Sequence, residues 1–300
     1  MEIEFSEVYQ PLFDLLEART IVNDESFSVA YNYDEQKYWL DLSKVDIVLC
    51  SGGRDSGKTF SISSFNCIAA NDYDHRVLYT RFTMSSAGNS ISKAVDNRLE
   101  MLNYTNEFNI TANEYVCKEG KGLISITGQK TSSGEQTAKL KSIEDYTIFV
   151  TDEGEELPSK EEFTKVKRSI RGKGVQTFSM ISFNPPTMEH WMYEEWYADV
   201  PAGFCGVKNN ILYIHSTYLD NGKENMTEAL WREYDGLRQD YELWLSTPEN
   251  KRHELHRKCE ANYKDYKFTI LGGFKLKAEG VVLTNWSYGD FNPNNLQVSY

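Results

Sequence analysis

The chain has 300 residues, 40 % of them hydrophobic and 26 % charged, with a formal net charge of −13. That composition fits a soluble globular class, with one large or two small domains around a sizeable core. No apolar run approaches the roughly 20 residues that a bilayer demands, and the acidic balance gives no bulk grip on nucleic acid, so such a contact would need a local basic patch. The start, MEIEFSEVYQ, carries no signal-peptide core. Five scattered cysteines predict reduced thiols in a cytosolic compartment.

In chain order, Ser28 to Leu42 reads as a hairpin with a polar turn. VDIVLC (Val45 to Cys50) is a buried strand leading into a glycine- and serine-rich loop. Beyond the loop, Ile62, Phe65 and Ala69 form one apolar stripe of a helix. RVLYTR (Arg76 to Arg81) is a second strand, Asn89 to Asn103 a second helix, and Asn113 to Gly128 a hairpin added to the core. YTIFVT (Tyr146 to Thr151), VQTFSMISF (Val175 to Phe183) and NILYIHS (Asn210 to Ser216) are further strands, short and rich in β-branched and aromatic residues. Strands alternating with helices imply parallel β-α-β units. Past residue 226 the pattern changes. Thr227 to Leu245 is helical, Thr247-Pro248-Glu249 caps another helix, and Phe268 to Phe291 reads as strands and turns. The predicted fold class is α/β: a parallel sheet flanked by helices, with a small C-terminal subdomain. Residues 1–225 are the expected core and 226–300 a lid or linker.

The loop fits G-x-x-x-x-G-K-[ST] without gaps: Gly52, Gly53, Arg54, Asp55, Ser56, Gly57, Lys58, Thr59. A strand ends, the chain wraps around a phosphate, and a helix begins. Glycines let backbone N–H groups face the phosphate with no Cβ in the way, and the helix N-terminus adds unpaired donors and positive dipole. Lys58 would neutralise the β- and γ-phosphates of ATP, and the Thr59 hydroxyl would bind Mg²⁺. The alternative is a glycine-rich surface turn, which the flanking strand and helix disfavour.

Such a loop needs a metal-orienting acid and a group that activates water. At the end of YTIFVT, Asp152 can hold the Mg²⁺ shell and Glu153 can act as general base. A second acid there favours hydrolysis over simple binding, and loop and acids together make the expected fold a P-loop NTPase of the ASCE (RecA-like) type. An acid pair after a strand could also merely cap the next helix. Glu155 and Glu156 read as solvated first-turn residues. Asn184, in SFNPP, would sit at a strand's carboxyl end near the γ-phosphate. An ordinary Asn-Pro turn is the other reading. HELH (His253 to His256) spaces its histidines by three rather than the four of a zinc-binding helix, and reads as a solvated face.

The order of these motifs resembles the large terminase subunit of tailed bacteriophages. GGRDSGKT is similar to that family's GGR-x-SGKS loop. ITGQ…KLKSIEDYTIFVTDEGEEL resembles its acid-pair segment, and ISFNPPTMEHW its fNPP…hW segment. HSTYLDN and ILGGF…EGVVLTNW resemble its TY-x-DN and lGe…G-x-vf, so the likeness runs through about residues 45 to 290. Where that family commonly carries Glu-Glu, this chain has Asp152-Glu153.

The resemblance implies that Asp152 is the Walker B acid, Glu153 the catalytic glutamate and Asn184 the residue coupling nucleotide state to movement. It implies positive charge at the transition state from Arg54 or from a neighbouring subunit. Arg168 and Arg171, which match the family's paired arginines, are candidates to act in trans, and Arg81 is a further candidate. Gln10 could read adenine; the alternative is a helix-entry residue beside Pro11. The implied partners are double-stranded DNA, a portal protein and a small terminase subunit, with no membrane. The implied assembly is a homo-oligomeric ring, monomeric in isolation. The implied place is the host cytoplasm, transiently at the procapsid portal vertex. The family's nuclease domain is expected to lie outside this chain. The rival readings are a P-loop helicase or other nucleic-acid-dependent ATPase, and a nucleotide-gated scaffold without turnover.

Overall fold

A strand buried on one face alternates apolar and polar residues; one covered on both faces does not. VDIVLC is continuous because its residues divide between two cores. In the computed structural model, which describes residues 6–20, 30–32, 39–130, 145–172, 175 and 177–276, Val48 and Cys50 face one core and Ile47 and Leu49 the other.

In chain order the elements are α1 (Gln10–Thr20), β1 (Ala30–Asn32), β2 (Trp39–Asp41), β3 (Ile47–Gly52), α2 (Lys58–Tyr73), β4 (Arg76–Thr83), α3 (Met84–Met101), β5 (Phe108–Ile110), β6 (Glu114–Cys117), β7 (Leu123–Lys130), β8 (Ile148–Thr151), α4 (Lys160–Lys167), β9 (Phe178–Phe183), β10 (Gly206–Lys208), β11 (Ile211–Ser216), α5 (Tyr218–Asn221), α6 (Glu228–Ser246) and α7 (Arg257–Asp265). Strands β3 to β11 form one sheet in the order β10-β11-β3-β9-β8-β4-β7-β6-β5, parallel from β11 through β7 and antiparallel at both edges. β1 and β2 make a separate antiparallel pair, the first predicted hairpin.

One core lies between the sheet and α1, α2 and α3. It contains Leu12, Leu15, Ile91 and Val95 together with the predicted stripe Ile62, Phe65 and Ala69. The opposite face is covered by α4 and by a π-helical turn at Tyr193–Tyr197, with Phe163, Val166 and Trp196 against Leu49, Phe149 and Ile181. A third, aromatic cluster joins Tyr218, Tyr234, Tyr266 and Ile270, linking α5 and α6 to the chain beyond α7. All five cysteines are free thiols.

Three expectations change. The hairpin at Asn113–Gly128 is present, but its second strand, β7, runs parallel to β4 within the main sheet rather than as an addition to it. Its apolar residues complete the core over α3, which an appended hairpin would leave uncovered. Thr247-Pro248-Glu249 begins a 3₁₀ turn, Glu249–Glu254, and the α-helix starts only at Arg257. The chain at Tyr266–Ile270 is a π-helical turn, not a strand; residues 277–291 of that predicted tail lie outside the described residues.

Phe163 is 2 % exposed, stacks on Phe149 at 5.6 Å between ring centroids, and meets Trp196 edge-on at 5.7 Å. Replacing it by Ala is expected to cost about 3–5 kcal/mol, mostly as a cavity beneath the sheet. Urea unfolding checks this: the midpoint should fall with little change in slope.

Candidate functional site

Parallel strands present all their carboxyl ends at one edge of the sheet, where open α/β folds place ligands. Here β3 ends in the glycine loop, β8 in Asp152 and β9 in Asn184. β9 pairs with both β3 and β8, so the loop and the acid pair are two strand spacings apart, about 9–10 Å. A cavity of about 1020 Å³ opens at this edge, lined by residues 53–61, Arg81, Asp152, Glu153 and Asn184. Glu7, Arg98, Asp220, Asn221 and Glu224 also line it.

The loop turns into α2 at Gly57, whose φ of +78° is left-handed backbone that glycine adopts without a Cβ penalty. α2 starts at Lys58, and the first N–H groups of a helix have no intrahelical acceptor. The loop's opening is fastened from outside: Gly53 N–H donates to Ser216 O at 3.2 Å, and Arg54 N–H to Thr269 O at 3.0 Å. A Cβ on Gly53 would sit 1.7 Å from the Ile270 carbonyl oxygen, so only glycine allows this approach. Tyr234, on α6, donates to the Asp55 carboxylate at 2.5 Å. The Lys58 ammonium donates to the carbonyls of Gly52 (3.0 Å) and Gly53 (2.6 Å), to Ser56 Oγ (3.1 Å) and to Asn184 Oδ1 (3.2 Å). Burial pushes its pKa down to about 8, against the upward pull of Glu155 first and then Asp152.

On the acid side, Arg81 lies at the end of β4. Its Nε and Nη2 donate to Asp152 Oδ2 at 3.0 and 2.7 Å, and Nη2 lies 2.9 Å from Glu153 Oε1. Asp152 is buried at 3 % exposure, and its backbone N–H donates to Thr80 O at 2.8 Å. Glu153 has φ +53°, a left-handed conformation costing a non-glycine residue about 1–3 kcal/mol and clustered at functional sites. Burial raises its carboxyl pKa, Arg81 opposes that, and Asp152 and Glu156 add to it. Behind the pair, Gln129 Nε2 donates to Thr80 Oγ1 and Thr151 Oγ1 at 2.9 and 3.0 Å, tying β7, β4 and β8 together under the site.

Glu155 corrects an expectation: it is not a solvated first-turn residue. Its Oε1 accepts from Asn184 Nδ2 at 2.9 Å, Oε2 is sealed from solvent, and burial raises its pKa. The turn Gly154–Glu156 folds under Leu157 rather than leading straight into a helix, and α4 begins only at Lys160.

The phage terminase large subunit family matches residues 44–273 of the chain. The chain belongs to that family. Among solved structures, the large terminase of a thermophilic bacteriophage is similar at a TM-score of 0.56 and 16 % identity, over 91 % of this chain and 54 % of that one. The same phage's terminase in complex with ADP is similar at a TM-score of 0.53 and 14 % identity, over 78 % of this chain and 50 % of that one. At such identities the likeness shows the fold. The chain thus spans about half the length of the large terminases it matches. No curated protein matches significantly.

In this terminase chain the loop residues, Asp152, Glu153 and Asn184 meet around one cavity, whereas three expected residues stand apart. Gln10 is exposed at the start of α1 and donates to Asp14 Oδ1 at 2.9 Å; the nearby segment Ser6–Val8 lines the cavity instead. Arg168 and Arg171 lie at and beyond the end of α4, away from the cavity lining. Among the described residues no group of three or more His, Cys, Asp or Glu is placed to hold a metal ion, and none of their helices is long and apolar enough to cross a membrane. Reading by motif passed over the wall at Asp220, Asn221 and Glu224, although TYLDN was in view.

Because the empty-site pKa of Lys58 is depressed, a ligand presenting phosphates must find it protonated or bring a proton with it. With ADP as probe, affinity is expected to be highest below pH 8 and to weaken above it, approaching about tenfold per pH unit. Calorimetry in buffers of different ionisation enthalpy should register proton uptake above pH 8.

Proposed function

We propose that this chain is the ATPase part of a DNA-packaging terminase, hydrolysing ATP to ADP and phosphate. The observation that carries this reading is that Lys58 and the Asp152–Glu153 pair line one cavity at the ends of strands two spacings apart, with Asn184 at the end of the strand between them. Family membership and the ADP-bound state of the similar phage terminase support a nucleotide as ligand.

The N-terminal amides of α2 and the Lys58 ammonium would hold the β- and γ-phosphates. Lys58 would exchange some of its present partners for phosphate oxygens. Glu153 would accept the proton of the attacking water as general base; its raised pKa brings it nearer that task than an ordinary glutamate, and Arg81 opposes the rise. Burial of Asp152 beside Arg81 fixes its carboxylate toward the same space.

Mg²⁺ fits the donors present. A hydroxyl at Thr59 and a carboxylate at Asp152, both on the cavity, are the hard oxygens Mg²⁺ takes alongside phosphates and water, without a dedicated cage of carboxylates. When bound, it would neutralise charge developing on the phosphate oxygens. Arg54, which lines the cavity, would add positive charge in cis. Arg168 and Arg171 would act on a neighbouring chain's site in a ring, and Gln10 would need to turn from Asp14 to reach adenine. Residues from about 226 onward would act as a lid, since they grip the loop through Tyr234 and Thr269. By membership of the family, the work of hydrolysis would move double-stranded DNA through a portal into the procapsid in the host cytoplasm, with a small terminase subunit as partner.

Glu153→Gln is expected to keep nucleotide binding while turnover falls by about 10²–10⁴-fold, the usual worth of a general base. Turnover unchanged by this substitution would sink the reading, and a parent protein that binds but never hydrolyses ATP would mark a scaffold. Where a neighbour supplies an arginine, worth about 10³–10⁵ in rate, the rate per chain should climb with protein concentration; a flat, high rate on dilution would exclude that supply.

A further inference from the structure

Asn184 follows β9 directly and precedes Pro185 and Pro186. A residue before proline is held to extended backbone, so the freedom left at this position is largely the side chain's. Its amide has two ends of nearly equal shape but opposite polarity. The Lys58 ammonium can only donate, and an ionised Glu155 carboxylate can only accept. Placed between them, the amide has one orientation, with Oδ1 toward Lys58 at 3.2 Å and Nδ2 toward Glu155 at 2.9 Å.

We propose that Glu155 is a positioning residue that locks the Asn184 amide with its oxygen toward the phosphate site, so that a ligand's arrival at Lys58 is read at the turn carrying Asp152 and Glu153. The proposal rests on the ATPase reading above. Lys58 has three N–H donors and four acceptors within 3.2 Å, of which Asn184 is the most distant. Incoming phosphate oxygens therefore take the ammonium from Asn184 before they take it from the loop carbonyls. Released from Lys58 yet still gripped by Glu155, Asn184 Oδ1 becomes a free acceptor facing the space between Lys58 and Glu153. There it can accept a hydrogen bond from the attacking water. The other end of the relay is the turn Gly154–Glu156, which begins directly after Glu153.

Glu155 Oε2 is sealed from solvent, and burial raises the carboxyl's pKa although the Asn184 side chain and the backbone N–H groups of Glu155 and Asn184 oppose it. A buried acceptor costs stability unless hydrogen bonds compensate it, so the bond to Asn184 Nδ2 is what an acceptor at this position supplies, and an apolar side chain there would lose it.

The test compares Glu155→Ala, Glu155→Gln, Asn184→Ala and the double Ala variant in the whole chain, by kcat for ATP, Kd for ADP and thermal midpoint. Glu155→Ala and Asn184→Ala should each lower kcat by about 10- to 100-fold, the effect of misplacing a reacting group by about an ångström, with Kd for ADP changed by about threefold or less. The double variant should fall no further than Asn184→Ala alone, because both act on one element. Gln still accepts from Asn184 Nδ2, so Glu155→Gln should recover most of the loss without melting earlier. If Glu155→Ala fails to fold, Glu155→Lys replaces it: Lys cannot accept the bond and must lose kcat where Gln keeps it. A Glu155→Ala rate equal to the parent's, or losses that multiply in the double variant, overturns this proposal alone. A parent without turnover overturns the ATPase reading together with it.

Discussion

The parallel ladder that seats β9 between β3 and β8 sets the distances at the candidate site. Strand spacing is nearly invariant because it is a hydrogen-bond length projected across the sheet. Inserting one strand therefore fixes the glycine loop and the acid pair two spacings apart, and puts the side chain following β9 between them. The cores on both faces enforce that insertion. Phe178 and Met180 fill the α2 side while Ile181 and Phe183 fill the α4 side, so β9 could not move to a sheet edge without exposing both sets.

Within this frame the site is a small set of interacting charged groups in a chain whose net charge is −13. Lys58 and Arg81 face Asp152, Glu153 and Glu155. Burial works against the charged forms of Lys58, Glu153 and Glu155: it lowers the first to about 8 and raises the other two. Opposite neighbours hold these ions in place, so a change at one member reaches the others. Strain at the Glu153 backbone and the sealed Glu155 oxygen fall in the same turn, at the edge of the cavity.

The central strands were legible in the sequence because burial on two faces leaves an unbroken apolar run, and the helix after the loop because its stripe recurs at helical spacing. β5 and β10, three residues each, carry no periodicity to read. The hairpin at Asn113–Gly128 was legible as a hairpin, since that pairing is local. Its attachment to β4 was not, since the partner lies more than forty residues upstream and is chosen by the core that the pairing closes. Glu155 was misread for a related reason: acids after a strand commonly face solvent in a first helical turn, but here the turn tucks under Leu157 and meets Asn184 from a different strand.

The sequence by itself determined the groups at hand: a glycine loop at a strand end, a lysine and hydroxyl at a helix start, two acids at another strand end, and the buried strands that carry them. Those are local properties, written in residues adjacent along the chain. Tertiary structure alone decided that Arg81 clasps the acid pair, that Gln10 turns away while Ser6–Val8 line the cavity, that Thr269 and Tyr234 fasten the loop, and that Glu155 and Lys58 orient one amide between them. Most of those contacts join residues far apart in sequence, and they meet because covering both faces of the sheet leaves one strand order in which every apolar run is buried.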